Sequence, residues 1–169
     1  MIVCTEGNLQ ISFPPTARVR KFDDITHGLS HCMKAVDFIV EYDKKYYFIE
    51  FKDPYASGIP DKERAKFLEQ FLDGKIDEDL KYKYRDTFLY EWASEHIDKP
   101  IYYCVLVAID TLTPADLLNR TDALKRKIPL EGPASGVWKR HFITGCAVFN
   151  IATWNQRLPA FPVKRIQGA

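Results

Sequence analysis

The chain has 169 residues, 46% hydrophobic and 28% charged, with 24 basic and 23 acidic side chains and a formal net charge of +1. That length suits one domain with a real core, spanning residues 1–169, and the composition excludes a disordered or low-complexity chain. The near-zero charge excludes a global field for polyanions, so any phosphate-binding surface has to be local.

No apolar run reaches the length of a membrane span, and residues 1–10 lack the charged start and apolar core of a signal peptide. Cys4, Cys32, Cys104 and Cys146 are scattered without a CxxC pair. Three sit in apolar surroundings and read as buried free thiols, which fits a reducing cytoplasm.

In chain order, residues 8–13 read as a short strand stopped by Pro14 and Pro15. Residues 17–22 fit a strand or a helical turn, made basic by Arg18, Arg20 and Lys21. His27, His31 and Cys32 read as a polar loop rather than a zinc site, because Gly28 and Ser30 oppose a helix and no second ligand cluster follows. Residues 35–41 and 46–52 form two β-rich runs around a polar turn at 42–45, the pattern of a hairpin. Helices are expected over 61–72 and 77–96, the second with Ile76, Leu80, Tyr84, Phe88 and Trp92 recurring every four residues and Leu89 beside them. The nearly continuous apolar run 101–109 reads as a strand covered on both faces. Thr113 and Pro114 start a helix that runs to about residue 127. Residues 132–136 read as a loop, 142–151 as a last strand, and 154–166 as an irregular tail held by Trp154, Leu158 and Phe161.

The hairpin register has a chemical consequence. With Asp43-Lys44 as a two-residue turn, Glu41 faces Tyr46, Phe38 faces Ile49 and Asp37 faces Glu50. One face then carries Val36, Phe38, Val40, Tyr47, Ile49 and Phe51; the other carries Asp37, Ile39, Glu41, Tyr46, Phe48, Glu50 and Lys52. A slip of one residue would mix the two sets. Asp37 and Glu50 come within roughly 5 Å at Cβ, where like charges repel. Lys52 lies next along the same face. A divalent cation between the carboxylates would remove the repulsion, and Mg²⁺ suits such a site.

Val36-Asp37, twelve residues, then Glu50-Phe51-Lys52 resembles the signature of the PD-(D/E)xK nuclease superfamily, with Val36 in place of the proline. The resemblance is specific over 34–53, loose out to residue 109 and without motif beyond. It implies an α/β fold with a mixed β-sheet, a central β-hairpin and flanking helices, a restriction-endonuclease-like core. It implies Mg²⁺, or Mn²⁺, on Asp37, Glu50 and the backbone carbonyl of Phe51, with Lys52 positioning the attacking water and offsetting phosphate charge. The reaction would be metal-assisted phosphodiester hydrolysis of nucleic acid, with DNA the expected polymer. Superfamily members usually open with a helix that gives an extra acid. No such helix is visible here, and Asp24 is the first candidate for that acid, ahead of Glu6 and Asp23. By the same analogy Lys83 or Arg85, and Lys81 on the Arg85 face, would contact phosphates from the second helix. The loop at 55–60 would lie beside the substrate.

Two rival readings stay open. One is a non-catalytic module that binds nucleic acid or a partner subunit with a nuclease fold. The other is a metal-free hydrolase using Asp37 and Glu50, as in retaining glycosidases, which gives Lys52 no task. A homodimer is expected if both strands of a duplex are cut.

Overall fold

The computed structural model describes residues 1–24 and 27–166. Its centre is the expected hairpin. β1 (Ile2–Glu6), β2 (Leu9–Phe13) and β3 (Arg18–Lys21) precede β4 (Phe38–Tyr42) and β5 (Lys45–Lys52). Asp43 and Lys44 carry φ of 48° and 60°, the double left-handed geometry of a type I′ turn. The register is the expected one from Glu41 opposite Tyr46 to Phe38 opposite Ile49, but the ladder ends there and does not include the expected pair of Asp37 with Glu50.

Two helices follow, α1 (Asp61–Leu72) and α2 (Asp77–Ala93), then β6 (Ile101–Val107), α3 (Pro114–Lys127), β7 (Gly145–Phe149), α4 (Ile151–Arg157) and β8 (Val163–Arg165). The five-stranded sheet runs β3-β4-β5-β6-β7, antiparallel as far as β5 and parallel from β5 to β7. A parallel step needs a long crossover, which α1 and α2 supply for β5 to β6 and α3 supplies for β6 to β7. The observed class is therefore mixed α/β.

Both faces of the large sheet are covered. Ile39, Phe48, Tyr103, Val105 and Val148 pack with Phe71, Leu80, Tyr84, Leu117 and Leu124 of the helices. On the other side Phe38, Val40, Ile49, Phe51 and Leu106 pack with Leu9, Ile11, Phe13, Trp154, Phe161 and Val163. That second layer is a small sheet of order β1-β2-β8 together with α4.

Several expectations need correcting. The tail is not irregular: it holds α4, capped by Asn150 and Thr153, and β8, which pairs with β2. The last strand is shorter than 142–151. Val36 belongs to the helical-side core rather than to the Phe38 face, because the chain leaves the ladder before Phe38. α2 stops at Ala93 rather than at residue 96. His96 N–H reaches the Glu91 carbonyl at 2.9 Å and Glu95 N–H the Trp92 carbonyl at 3.1 Å, with Glu95 at φ 58°. This is a Schellman stop with a glutamate where glycine is usual. Trp92 and Leu89 are exposed, and Thr87 and Glu91 are buried in their stead.

No helix among the described residues is long and apolar enough to cross a membrane. All four cysteines are free, Cys104 and Cys146 buried and Cys32 exposed.

Trp154 shows that the tail belongs to the core. It is fully buried, its indole N–H donates to the Phe161 carbonyl at 2.7 Å, and its rings lie edge-on to Phe51 and Phe149. Trp154→Ala is expected to cost about 3–5 kcal/mol through cavity and lost bond together. Urea unfolding checks this; a loss below about 1 kcal/mol would mean that the tail is a dispensable cover.

Candidate active site

Asp37, Glu50 and Lys52 come together on the helical face of the large sheet, near the far end of the hairpin from its turn. Glu50 sits in mid-strand and is fully buried; Asp37, just before β4, is 4% exposed. Backbone bonds fix the approach of Asp37. Its carbonyl accepts from Phe22 N–H at 2.8 Å. One residue earlier, Val36 N–H donates to Thr87 Oγ1 of α2 at 3.1 Å, and Lys34 N–H donates to Asp86 Oδ2 at 2.9 Å.

That detour opens one edge of β5. Continuing the ladder would set Val36 opposite Phe51, but the Val36 N–H is engaged on α2. Phe51 N–H donates instead to Asp37 Oδ2 at 2.5 Å. Backbone groups of alternate strand residues point to opposite neighbours. Lys52 accepts from Ala108 N–H on the β6 side at 2.8 Å, so the Phe51 carbonyl faces the Asp37 side.

The acids meet lysines. Lys83 Nζ of α2 lies 2.6 Å from Glu50 Oε1 and 3.8 Å from Asp37 Oδ1. Lys52 Nζ lies 3.0 Å from the same Glu50 oxygen and 3.2 Å from Asp79 Oδ2, and Asp79 also pairs with Lys34. Both lysines meet the same Glu50 oxygen, as close ion pairs. The attraction is charge to charge. Both lysine side chains keep about a fifth of their surface in solvent, whereas the two carboxylates keep almost none. The ammonium groups therefore lie between the acids and water.

Electrostatics follow from this burial. Asp37 is pushed up to about 8, first by burial and then by Glu50. Glu50 is also raised by burial, against the pull of Lys52 and Lys83. Burial pulls the Lys52 ammonium down, but Glu50 and Asp79 outweigh it and leave it above its ordinary value. Two acids raised side by side are a functional-site signal.

A second acidic group touches the first. Glu6, Asp23 and Asp37 each offer an oxygen within 4.8 Å of the others. The acid brought to Asp37 is thus Asp23 with Glu6, and Asp24 is outside the group. Burial and then Glu6 raise Asp23, and Lys21 pairs with Glu6 at 2.8 Å. His27, His31 and Cys32 form no ligand group among the described residues; the His27 ring stacks on Phe22 at 5.5 Å. The polar loop read around them includes residues 25 and 26, which lie outside the described residues.

Of the expected phosphate contacts, only Lys83 joins the carboxylates. Lys81 pairs with Glu78, and the Arg85 guanidinium stands 5.6 Å from the Tyr82 ring centre. A groove of about 560 Å³ is lined by Arg18, Arg20, Glu41, Tyr46, His96 and Lys99 toward the turn end of the hairpin, and none of Asp37, Glu50 or Lys52 lines it.

No known protein family, curated protein or solved structure matches the chain. The chemistry has to be read from the residues. Asp37, Glu50 and the Phe51 carbonyl bring only oxygen donors to this corner, and the cluster that could hold a metal ion among the described residues is Glu6, Asp23 and Asp37.

The Asp37 shift sets a pH dependence. Between about pH 4 and pH 8 the native state keeps a proton that the unfolded chain has released, so this group's contribution to stability falls as pH rises through that window. Asp37→Asn removes the titration, and its amide oxygen can still accept from Phe51 N–H. The variant is expected to gain on the wild type steadily from pH 5 to pH 8, reaching about 1–3 kcal/mol in urea unfolding. A difference that stays flat with pH would show that Asp37 is ionised throughout.

Proposed function

We propose that the chain is a metal-dependent nuclease that hydrolyses phosphodiester bonds, with DNA as the expected polymer. The observation that carries this reading is Glu50. A carboxylate in a doubly covered sheet is costly unless charge compensates it, and Glu50 is fully buried with two ammonium groups on one of its oxygens, at 2.6 and 3.0 Å. Asp37 beside it and Lys52 two residues on share its face of the sheet, which supports reading the three as a triad of the PD-(D/E)xK kind.

The topology supports the finer fold reading. The antiparallel run β3-β4-β5, a helical crossover and a parallel β6 follow the order of a restriction-endonuclease-like core. The helix usual before the meander is replaced among the described residues by the β1-β2 hairpin. The acid that this helix would give has counterparts in Glu6 and Asp23.

Asp37 and Glu50 would hold the ion, with the Phe51 carbonyl on the same side. When bound, Mg²⁺ or Mn²⁺ would lower the pKa of a water and offset charge on the phosphate. The chain supplies the rest. Asp79 and Glu50 hold the Lys52 ammonium at 3.2 and 3.0 Å, charged and partly in solvent, where it can orient the water and meet a phosphate oxygen. Burial of the two acids keeps bulk water from competing for them.

One observation favours the second reading, a non-catalytic module for nucleic acid or a partner subunit. Lys83 already sits between the two acids, as it would in a site that needs no metal. The near-zero net charge points the same way, toward a partner or a second copy for tight polymer binding. Free thiols at all four cysteines support a reducing, cytoplasmic setting for either reading.

Cleavage of labelled linear duplex, single-stranded and branched DNA, and of RNA, in Mg²⁺ or Mn²⁺ is the test. Wild-type cutting should vanish with EDTA and fall by at least about 100-fold in Lys52→Ala and Asp37→Ala proteins that keep the wild-type circular dichroism. Cutting that survives both substitutions would place the chemistry elsewhere, and no cutting by the wild type would favour the binding module.

A further inference from the structure

The Lys83 ammonium stands where the ion of the proposed site has to go, and this inference rests on that proposed metal reading. Its Nζ is 2.6 Å from Glu50 Oε1 and 3.8 Å from Asp37 Oδ1, so one cation already spans both acids. Mg²⁺ binds carboxylate oxygen at about 2.1 Å. An ion on Glu50 Oε1 would then lie no more than about 5 Å from Lys83 Nζ, inside a buried site where like charges are poorly screened.

Lys52 cannot yield in its place, because it is held at its other side by Asp79, which Lys34 also pairs. Lys83 has no second acid among its ion pairs beyond Asp37 and Glu50. Its side chain comes from α2, whose backbone is anchored by Tyr103 Oη to the Leu80 carbonyl at 3.0 Å and by Tyr84 Oη to the Phe142 carbonyl at 2.6 Å. The helix stays fixed while the lysine arm swings on four rotatable bonds.

We infer that Lys83 is an exchangeable internal cation: it bridges Asp37 and Glu50 when no metal is bound, and it is expelled toward solvent, and toward a bound phosphate, when a divalent ion enters. Metal affinity is thereby set by competition with a residue of the chain itself. Lys83 is a positioning residue in the free state and touches substrate only in the loaded one.

Two measurements on the full chain test this, neither requiring turnover. The first is Mn²⁺ titration by calorimetry of wild type, Lys83→Met and, as a control on the same helix, Lys81→Met. Lys83→Met should bind Mn²⁺ at least tenfold more tightly than wild type, and Lys81→Met about as wild type. The second uses the unaltered protein, so it stands even where Lys83→Met fails to fold. Acetylation by a lysine-reactive ester, read by mass spectrometry, should label Lys83 faster with Mn²⁺ than without, while Lys81 labelling stays constant. Binding of Mn²⁺ by Lys83→Met alone also supports the exchange, with Lys83 as the stronger competitor. Equal Mn²⁺ affinity with unchanged Lys83 labelling overturns it and leaves the metal site standing. Absence of Mn²⁺ binding in both wild type and Lys83→Met overturns the metal reading on which it rests.

Discussion

The burial of Glu50 is the constraint around which this molecule is arranged. A carboxylate in the middle of β5, with helices on one side and a second sheet on the other, loses nearly all of its hydration. Around it runs a chain of alternating charge: Lys34, Asp79, Lys52, Glu50, Lys83, Asp37. Each ammonium is shared between two acids wherever two are within reach. The alternation leaves Asp37 at the end, and there Glu6 and Asp23 add acid groups that Lys21 and Lys83 offset in part. The excess of acid therefore collects at one corner, on the side to which the Phe51 carbonyl points.

The backbone makes this corner. Val36 leaves its place opposite Phe51 to bond Thr87, and the vacated edge of β5 is taken by the Asp37 carboxylate. Thr87 is a fully buried polar residue on the inward face of α2. Its hydroxyl therefore has a structural task, and the carboxylate pair depends on it from a distance.

How much of this could be read in advance depended on whether a local period carried it. The hairpin register could be read, because two strands with period-2 burial and a two-residue turn admit one pairing. The bounds of α1 and the cap of α3 could be read from their punctuation, Pro60 and Asp73-Gly74 for the first and Thr113-Pro114 for the second. The inward face of α2 could not. Residues four apart drift by about 40° per step on an α-helix, so a stripe from Ile76 to Trp92 winds about 160° around it. The true stripe, Leu80, Tyr84, Thr87 and Glu91, alternates steps of four and three and hides behind two polar letters. Glu91 goes inside because Arg20 of β3 meets it with two bonds, at 3.1 and 2.5 Å, and no local pattern announces a partner 71 residues away. The same holds for β8, whose three residues are a strand only because β2 offers an edge. The ranking of Asp24 ahead of Asp23 had no local support for a related reason: in an irregular segment no period says which side chain turns inward.

The choice of cation separates scaffold from site. Where this protein buries an acid for structure, it uses arginine: Arg20 on Glu91, Arg120 on Asp77 at 3.0 Å and Arg165 on Asp53 at 2.9 Å. Guanidinium is planar, permanently charged and forked, so it locks a carboxylate in one geometry. Asp37, Glu50 and Asp79 have lysines as their ion-pair partners. An ammonium is a point charge on a flexible arm, and at Glu50 two of them share one carboxylate oxygen. A network meant only to hold the fold would gain from the arginine fork that the chain uses elsewhere. Lysine gives up that geometric lock and keeps the freedom to let go.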